Sequence, residues 1–226
     1  KYCFEFKIMS HSVHPYSFRL GIIRDWKSRW FNLRAYRQTI KSDILIREWL
    51  AKRLRGSYVA EVSIERSPAL FHINIKTARP GLIIGRGGEG IEKLRKDALK
   101  TLKKIGADEK GQLKISVEEV RLPDTHAAIV AYAIAEELEK RLPFRRVMKK
   151  AIDRVMASRG VYGIKVALLG RLGGAEMSRH ESLMKGQIPL QTLRADVDFA
   201  RERAHLPYGD IGIKVWIYRG EIFDKK

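Results

Sequence analysis

The sequence predicts an α+β chain of two compact units behind a basic arm, and three observations predict it. Its 226 residues are 45% apolar and 31% charged, enough apolar side chain for real cores and too much for wholesale disorder. Apolar residues recur in blocks of two kinds, some at spacing 2 and some near 3.6, separated by Gly and Pro. The order of the blocks changes at Pro123-Asp124. Before that point it reads α-β-β-(short α)-glycine loop-α-β; after it, α-α-β-β-β, a two-layer α+β unit. The divisions expected are 1–38 for the arm, 39–122 for the first unit and 123–226 for the second.

Each element has its own warrant. The arm shows no sustained period; Trp26 and Trp30 in it read as buried staples in preference to base-stacking platforms. From Ser42, an N-cap residue type, Leu45, Ile46, Trp49, Leu50 and Leu54 recur at helical spacing until Gly56. Tyr58, Ala60, Val62 and Ile64 alternate, Ser67-Pro68 turns, and Phe71, Ile73, Ile75 and Thr77 alternate again, which predicts a hairpin. Pro80-Gly81 opens a short apolar turn that runs into Gly85-Arg86-Gly87-Gly88. Ile91, Leu94, Ala98, Leu99, Leu102 and Ile105 then mark an amphipathic helix ended by Gly106, and Leu113, Ile115 and Val117 a strand. In the second unit an alanine-rich helix is expected from Thr125 to Leu142 and another from Phe144 to Ser158, ended by Gly160. Strands are expected at Tyr162–Leu169, Leu193–Ala200 and Ile211–Tyr218, joined by glycine-containing loops.

The outlying quantity is charge. Forty-five Lys and Arg against 26 Asp and Glu leave +19, where solubility asks for a net charge of roughly 2–8. Such an excess repels itself unless an anion neutralises it, and nucleic acid is the first candidate. The charge is not a tail: residues 1–113 hold 24 basic and 11 acidic side chains, and 114–226 hold 21 and 15. Its densest patch, Arg141–Arg159, has seven basic residues against Asp153 alone. Other classes recede. One cysteine, Cys3, excludes a disulfide framework and a four-cysteine zinc site. No apolar run approaches the roughly 20 residues of a membrane helix, and Lys1–Met9 is too short and polar for a secretory signal.

Gly85-Arg86-Gly87-Gly88-Glu89-Gly90 formally fits the dinucleotide fingerprint G-x-G-x-x-G. That motif needs a buried strand ending at the first glycine, and Arg79-Pro80-Gly81 leaves only three apolar residues for one. G-x-x-x-x-G-K-[ST] is absent. The remaining reading is G-x-x-G, Gly85–Gly88, between two helices after a hairpin. Glycines there let backbone approach a sugar-phosphate chain, the next helix offers free N–H groups, and Arg79 and Arg86 add charge. On Phe144–Ser158, Phe144, Val147, Met148, Ala151, Ile152 and Val155 share one face; Arg145, Arg146, Lys149, Lys150 and Arg154 share the other. Like charges at i,i+4 cost a few tenths of a kcal/mol per pair, so a row of cations tracking phosphates is favoured over a merely solvated face.

The order α-β-β-α-α-β with G-x-x-G between paired helices resembles the prokaryotic-type KH domain, whose loop clamps about four nucleotides. Larger strings extend the resemblance over about Ser12–Phe223. They are Val13-His14-Pro15 with Arg19-Leu20-Gly21, Ala78-Arg79-Pro80-Gly81, Ile84–Glu89 and Phe144-Arg145-Arg146. Gly170-Arg171-Leu172-Gly173-Gly174-Ala175-Glu176, Pro189-Leu190, Thr192-Leu193-Arg194-Ala195-Asp196 and Gly212–Ile217 before Gly220-Glu221 complete them. Together these resemble the universal family of small-subunit ribosomal protein three, in its bacterial form. The resemblance implies a structural protein of the cytoplasmic small-subunit head that binds rRNA and lines the channel by which mRNA enters. It implies an mRNA role for Arg145, Arg146 and Lys149, with Lys150 beside them, in holding and unwinding the incoming strand. It implies rRNA contact by Arg171, Gly173, Gly174, Arg179 and Arg194, and head ribosomal proteins ten and fourteen as neighbours. Lys1–Ile8 ahead of Met9, the stop soon after Glu221, and Leu206-Pro207 before Tyr208-Gly209 depart from the family pattern.

No catalytic constellation is present. His11, His14, His72, His126, His180 and His205 are scattered without H-E-x-x-H, and G-x-S-x-G is missing. Cys3 with His11 and His14 could hold a metal, but an untidy terminus is the simpler reading. Glu136, Glu137 and Glu139 sit too closely on one helix to flank a substrate. No enzyme, cofactor or membrane partner is expected; the rival of another class is a free-standing RNA regulator or nucleic-acid-processing enzyme built on the same first unit.

Overall fold

A computed structural model describes residues 13–32, 34–67, 70–105 and 112–223. Lys1–Met9, Cys3, His11, Pro68 and Gly106 lie outside the described residues. The first unit runs α2 (Tyr36–Arg53), β2 (Val59–Arg66), β3 (Leu70–Thr77), α3 (Pro80–Ile84), α4 (Glu89–Ile105) and β4 (Gln112–Glu119). β2 and β3 pair antiparallel, with Ile64 opposite Ile73; β4 joins β3 parallel, with Ile115 opposite Ile73. The alternation that predicts the strands buries Ile64, Phe71, Ile73 and Ile75. Ile46 and Leu50 of α2, Ile83 of α3, and Leu94, Ala98 and Leu102 of α4 close over them. Each fully buried aliphatic here contributes about 1.5–3 kcal/mol relative to exposure. Leu99, assigned to the same stripe, is 37% exposed and lies at its margin.

The arm is less irregular than expected. It contains a turn of helix, α1 (Pro15–Phe18), and a two-residue strand, β1 (Ser28–Arg29), that adds parallel to the outer edge of β2. α2 starts six residues before Ser42, whose side chain is buried inside the helix and donates to the Thr39 carbonyl. The turn entering α2 is held instead by the Asn32 side chain, which accepts from the Ala35 N–H at 3.1 Å. Trp26 is 65% exposed, so it is no staple; Trp30 is half-buried and donates its indole N–H to Asp43 at 2.9 Å.

The second unit places α5 (Ala127–Glu139) and α6 (Phe144–Ala157) on one face of an antiparallel sheet of order β6-β5-β8-β7. Its strands are β5 (Gly163–Gly170), β6 (Arg179–Gly186), β7 (Ala195–Leu206) and β8 (Gly209–Glu221). β6 is a strand the sequence does not announce, and β7 runs six residues beyond its expected end at Ala200. Ile164, Val166 and Leu168 of β5 and Ile213, Val215 and Ile217 of β8 meet Ala131, Ile134, Met148, Ile152 and Val155 of the helices. His126 gives α5 no side-chain cap; Asp198 of β7 accepts from the Ala127 N–H at 2.9 Å and pairs with Arg219 at 2.6 Å. Burial alone would raise the Asp198 carboxyl, but Arg219 and the Ala127 N–H outweigh it and hold it below the usual range.

The two units and the arm are joined by polar contacts. Glu136 accepts from the Tyr58 hydroxyl, and Glu139 pairs with Arg55 while accepting from the His205 N–H at 3.0 Å. Tyr58 adopts φ +52°, a left-handed conformation that points its ring across this junction. Arg19 is fully buried. It donates to the carbonyls of Pro15, Pro189, Leu190, Thr192 and Ala195 and pins the arm onto the loop before β7.

Candidate nucleic-acid interface

The glycine loop begins where α3, opened by Pro80 at its first turn, runs out after Ile84. Gly85 takes φ +70° and ψ −177°; Arg86–Gly88 form a single tight turn with Gly87 at +60° and Gly88 at +85°, and α4 follows at once. A helix, not a strand, ends at Gly85, which removes the dinucleotide reading. Gly90, the last glycine of that string, has a different purpose. A Cβ there would lie 2.4 Å from the Ile83 carbonyl oxygen and 2.7 Å from that of Ile84, so its bareness lets α4 start against the end of α3. Gly85, Arg86 and Gly87 are exposed; the Arg86 carbonyl accepts from the Glu89 N–H, and its side chain has no ion pair or hydrogen bond among the described residues. Glu89 and Glu92 occupy the first turn of α4, where they favour the helix dipole but oppose a phosphate at its N–H groups. Arg79 is exposed and lies over the Tyr58 ring, 4.4 Å from its centroid. Through Tyr58 and Glu136 it is tied to the second unit more than to the loop. The Glu136 carboxyl is held below its usual range by hydrogen bonds from Lys140 and Tyr58.

Helix α6 is set by its buried stripe. Val147, Met148, Ala151, Ile152 and Val155 are all at most 5% exposed, and that orientation turns Arg145, Arg146, Lys149 and Lys150 to solvent. The four cations are not equivalent. Arg145 pairs with Glu181 at 3.3 Å and Lys150 with Glu137 at 2.9 Å. Arg146 and Lys149 have no ion pair or hydrogen bond to a side chain among the described residues. Arg154, further along, pairs with Asp124 at 3.2 Å.

Strand β6 changes the placement of Arg179. It opens the edge strand, and it meets the same Glu181 at 3.4 Å that holds Arg145. Two residues assigned from sequence to different ligands therefore share one carboxylate, and Lys185 to Asp153 at 2.9 Å ties β6 and α6 a second time. Arg171 is half-buried and spends its guanidinium on the Ala175 carbonyl at 2.8 Å and the Tyr208 carbonyl at 3.0 Å. It fixes the loop in which Gly173 and Gly174, at φ +69° and +84°, stand exposed with open space around them. Arg194 is exposed, pairs with Glu221 at 2.7 Å, and lies 5.6 Å from the Phe223 ring centroid. Among the described residues no hydrogen bond or ion pair links the glycine-loop set to α6 or β6. Among them too, no group of three His, Cys, Asp or Glu is placed to hold a metal, and no helix is long and apolar enough to cross a membrane.

Comparison with known proteins gives two family matches. Residues 45–125 match the KH domain model, and residues 134–217 match the model of the ribosomal protein S3 C-terminal domain. The small ribosomal subunit protein uS3 of Endomicrobium trichonymphae is 46% identical over 218 residues, covering 96% of this chain and 90% of its own length. That of Lactobacillus acidophilus is 44% identical over 214 residues, covering 95% and 92%, and that of Magnetococcus marinus 45% over 218, covering 96% and 100%. At this identity across a KH unit, an S3-type second unit and the arm ahead of them, the chain belongs to the family of small ribosomal subunit protein uS3.

Proposed function

We propose that the chain is a non-enzymatic structural component of the small ribosomal subunit in the cytoplasm, binding rRNA broadly and presenting the exposed face of α6 to mRNA as it enters. One observation carries the mRNA assignment: α6 displays four cations on one face, and Arg146 and Lys149 are left without an acid while each neighbouring cation has one. Unpaired charge at fixed spacing suits a strand that is gripped and released, because each phosphate met releases counterions and none has to displace a protein carboxylate. Arg145 and Lys150 act as a paired flank that holds α6 against β6 and α5.

Permanent rRNA contact falls in this reading to Gly173 and Gly174, with their loop shaped by Arg171, and to Arg179 and Arg194 on the same unit. The Gly85–Gly88 loop with Arg86 is the second RNA-facing surface, and Arg79 supports it from the junction with α5. Head ribosomal proteins ten and fourteen are the protein neighbours this reading expects. Sucrose-gradient sedimentation of a cell lysate tests it. The protein should run with small subunits and stay there through a high-salt wash. A chain found at the top of the gradient, beside intact subunits that lack it, overturns the proposal in favour of a free RNA regulator.

A further inference from the structure

The second sheet has two faces, and only one is covered by helices. Across its open face the register sets out two rows. One row runs Ser182, Ala167, Lys214, Arg201 over β6, β5, β8 and β7; the next runs His180, Leu169, Gly212, Arg203. Small residues, Ala167 and Gly212, occupy central strands, while long cations stand on β8 and β7. The result is a trough of about 670 Å³ with a low floor and a basic wall.

The far end of the same face is closed. Phe199 and Trp216 stack at 5.1 Å between ring centroids, and His14 of the arm meets Phe199 edge-on at 4.7 Å. The arm stops there, so the end with Arg201, Arg203 and Lys214 is open, and all three are exposed.

Charge is what identifies the occupant. Arg201 stands directly opposite Lys214, a like-charge pair that disfavours the strand pairing it sits in. None of Arg201, Arg203 and Lys214 has an ion pair among the described residues. Two acids on the same strands are committed elsewhere: Asp210 of β8 contacts His205 at 2.7 Å, and Glu202 of β7 serves Tyr132 on the helix side, whose phenol is pushed up to about 12 by burial and by that carboxylate. Arg201 and Arg203 are two residues apart on one strand, roughly 7 Å along it, close to the repeat of an extended sugar-phosphate chain. The aromatic pair on this face is already stacked under the arm, so the trough offers charge and hydrogen-bond donors but no free platform for bases.

We propose that this trough is a further RNA-backbone site, binding ribose-phosphate through Arg201, Arg203 and Lys214, apart from both the glycine loop and α6. It rests on the reading of the chain as an RNA-binding protein. The test is the salt dependence of binding of the full chain to a short unstructured single-stranded RNA, comparing wild type, R201Q/R203Q/K214Q and R146Q/K149Q. Three phosphate contacts contribute about 2 to the slope of log affinity against log salt, so the triple variant should lose about that much. Each single variant, R201Q, R203Q or K214Q, should lose about a third of it, which keeps the test decisive where the triple variant folds poorly. An unchanged slope in the sheet variants beside a reduced one in R146Q/K149Q overturns the trough alone. If the sheet variants keep the wild-type slope yet fail to join small subunits, the face belongs to a protein neighbour and the proposal is overturned. Wild-type chain with no salt-dependent RNA binding overturns the RNA-binding reading and the trough together.

Discussion

Replacing Arg146 and Lys149 with glutamine separates the free cations of α6 from the paired ones. Glutamine keeps the stem that lies along the helix and removes only the charge. In single-stranded RNA each neutralised phosphate contributes about 0.7 to the slope of log affinity against log salt, so two unpaired cations contribute about 1.4. Over a fourfold rise in salt, wild type should therefore lose about sevenfold more affinity than R146Q/K149Q. The matched variant R145Q/K150Q removes the same formal charge from the same face. Its cations already have Glu181 and Glu137 as counterions at 3.3 and 2.9 Å, so little is released when RNA arrives. The expected fall is about half as large or less. Glu181 stays neutralised by Arg179 at 3.4 Å, which limits any new repulsion. Filter binding or fluorescence anisotropy over a salt series reads both slopes. Equal falls in the two variants would refute the distinction between free and paired cations, and an unchanged slope in R146Q/K149Q would remove α6 from the RNA path.

Two further outcomes follow from the fold. Gly90→Ala puts a methyl against two backbone oxygens, at 2.4 and 2.7 Å, where no side-chain rotation relieves it. Overpacking of this kind costs about 2–3 kcal/mol, or a fall in Tm of about 4–12 °C for a chain of this length, followed by circular dichroism. Gly87→Ala meets open space and should cost only about 1 kcal/mol through its positive φ; the reverse ranking would contradict the packing of α3 on α4. The depressed carboxyl of Asp198 makes a pH prediction whose sign is fixed. Its contribution is present above the ordinary carboxylate range and is lost as pH falls through the lower folded value. Chemical denaturation should show wild type losing stability below about pH 4, with a shallower loss in Asp198→Asn; parallel pH profiles would remove Asp198 as a source of acid sensitivity.

Legibility in the sequence tracked how one-sided each element's burial is. The hairpin β2–β3 and helix α6 could be read because one face of each is buried: Ile64, Ile73 and Ile75 repeat every second residue, and Val147, Ala151 and Val155 every fourth. β6 could not, because it is an edge strand of which only Glu181 and Leu183 are even half-buried. The extension of β7 was hidden for a related reason. Arg201 and Arg203 face the open side, and charge there reads as loop although Ala204 and Leu206 continue the buried alternation. The early start of α2 was masked by Arg37 and Lys41, which leave its first turns without an apolar stripe. Arg19 carried no legible signal at all. A buried arginine has the same letter as a solvated one, and its carbonyl partners lie as far as 176 residues away. The sequence predicts a loop between two helices at Gly85–Gly88, where the structure has one, but gives no separate sign for Gly90, since a glycine needed for helix approach and one needed for positive φ look alike.

The distribution of ion pairs gives the +19 a mechanical meaning. With 26 acids and 45 cations, pairing each acid with one cation leaves 19 cations without an acidic partner. Several acids are spent where elements meet: Glu137 and Asp153 fasten α6, Glu139 and Glu136 fasten the two units, Asp196 and Asp43 fasten the arm and α2, while others, such as Glu89 and Asp97, pair within α4. The former acids go to joints, and unmatched cations are left on open faces, at Arg86, at Arg146 and Lys149, and at Arg201, Arg203 and Lys214. A protein merely rich in Lys and Arg for solubility has no reason to separate the two in this way, since interspersed signs stabilise a surface better than segregated ones. Segregation is what a polyanion would exploit. It lets RNA bind several faces at once without competing against the contacts that hold the fold together.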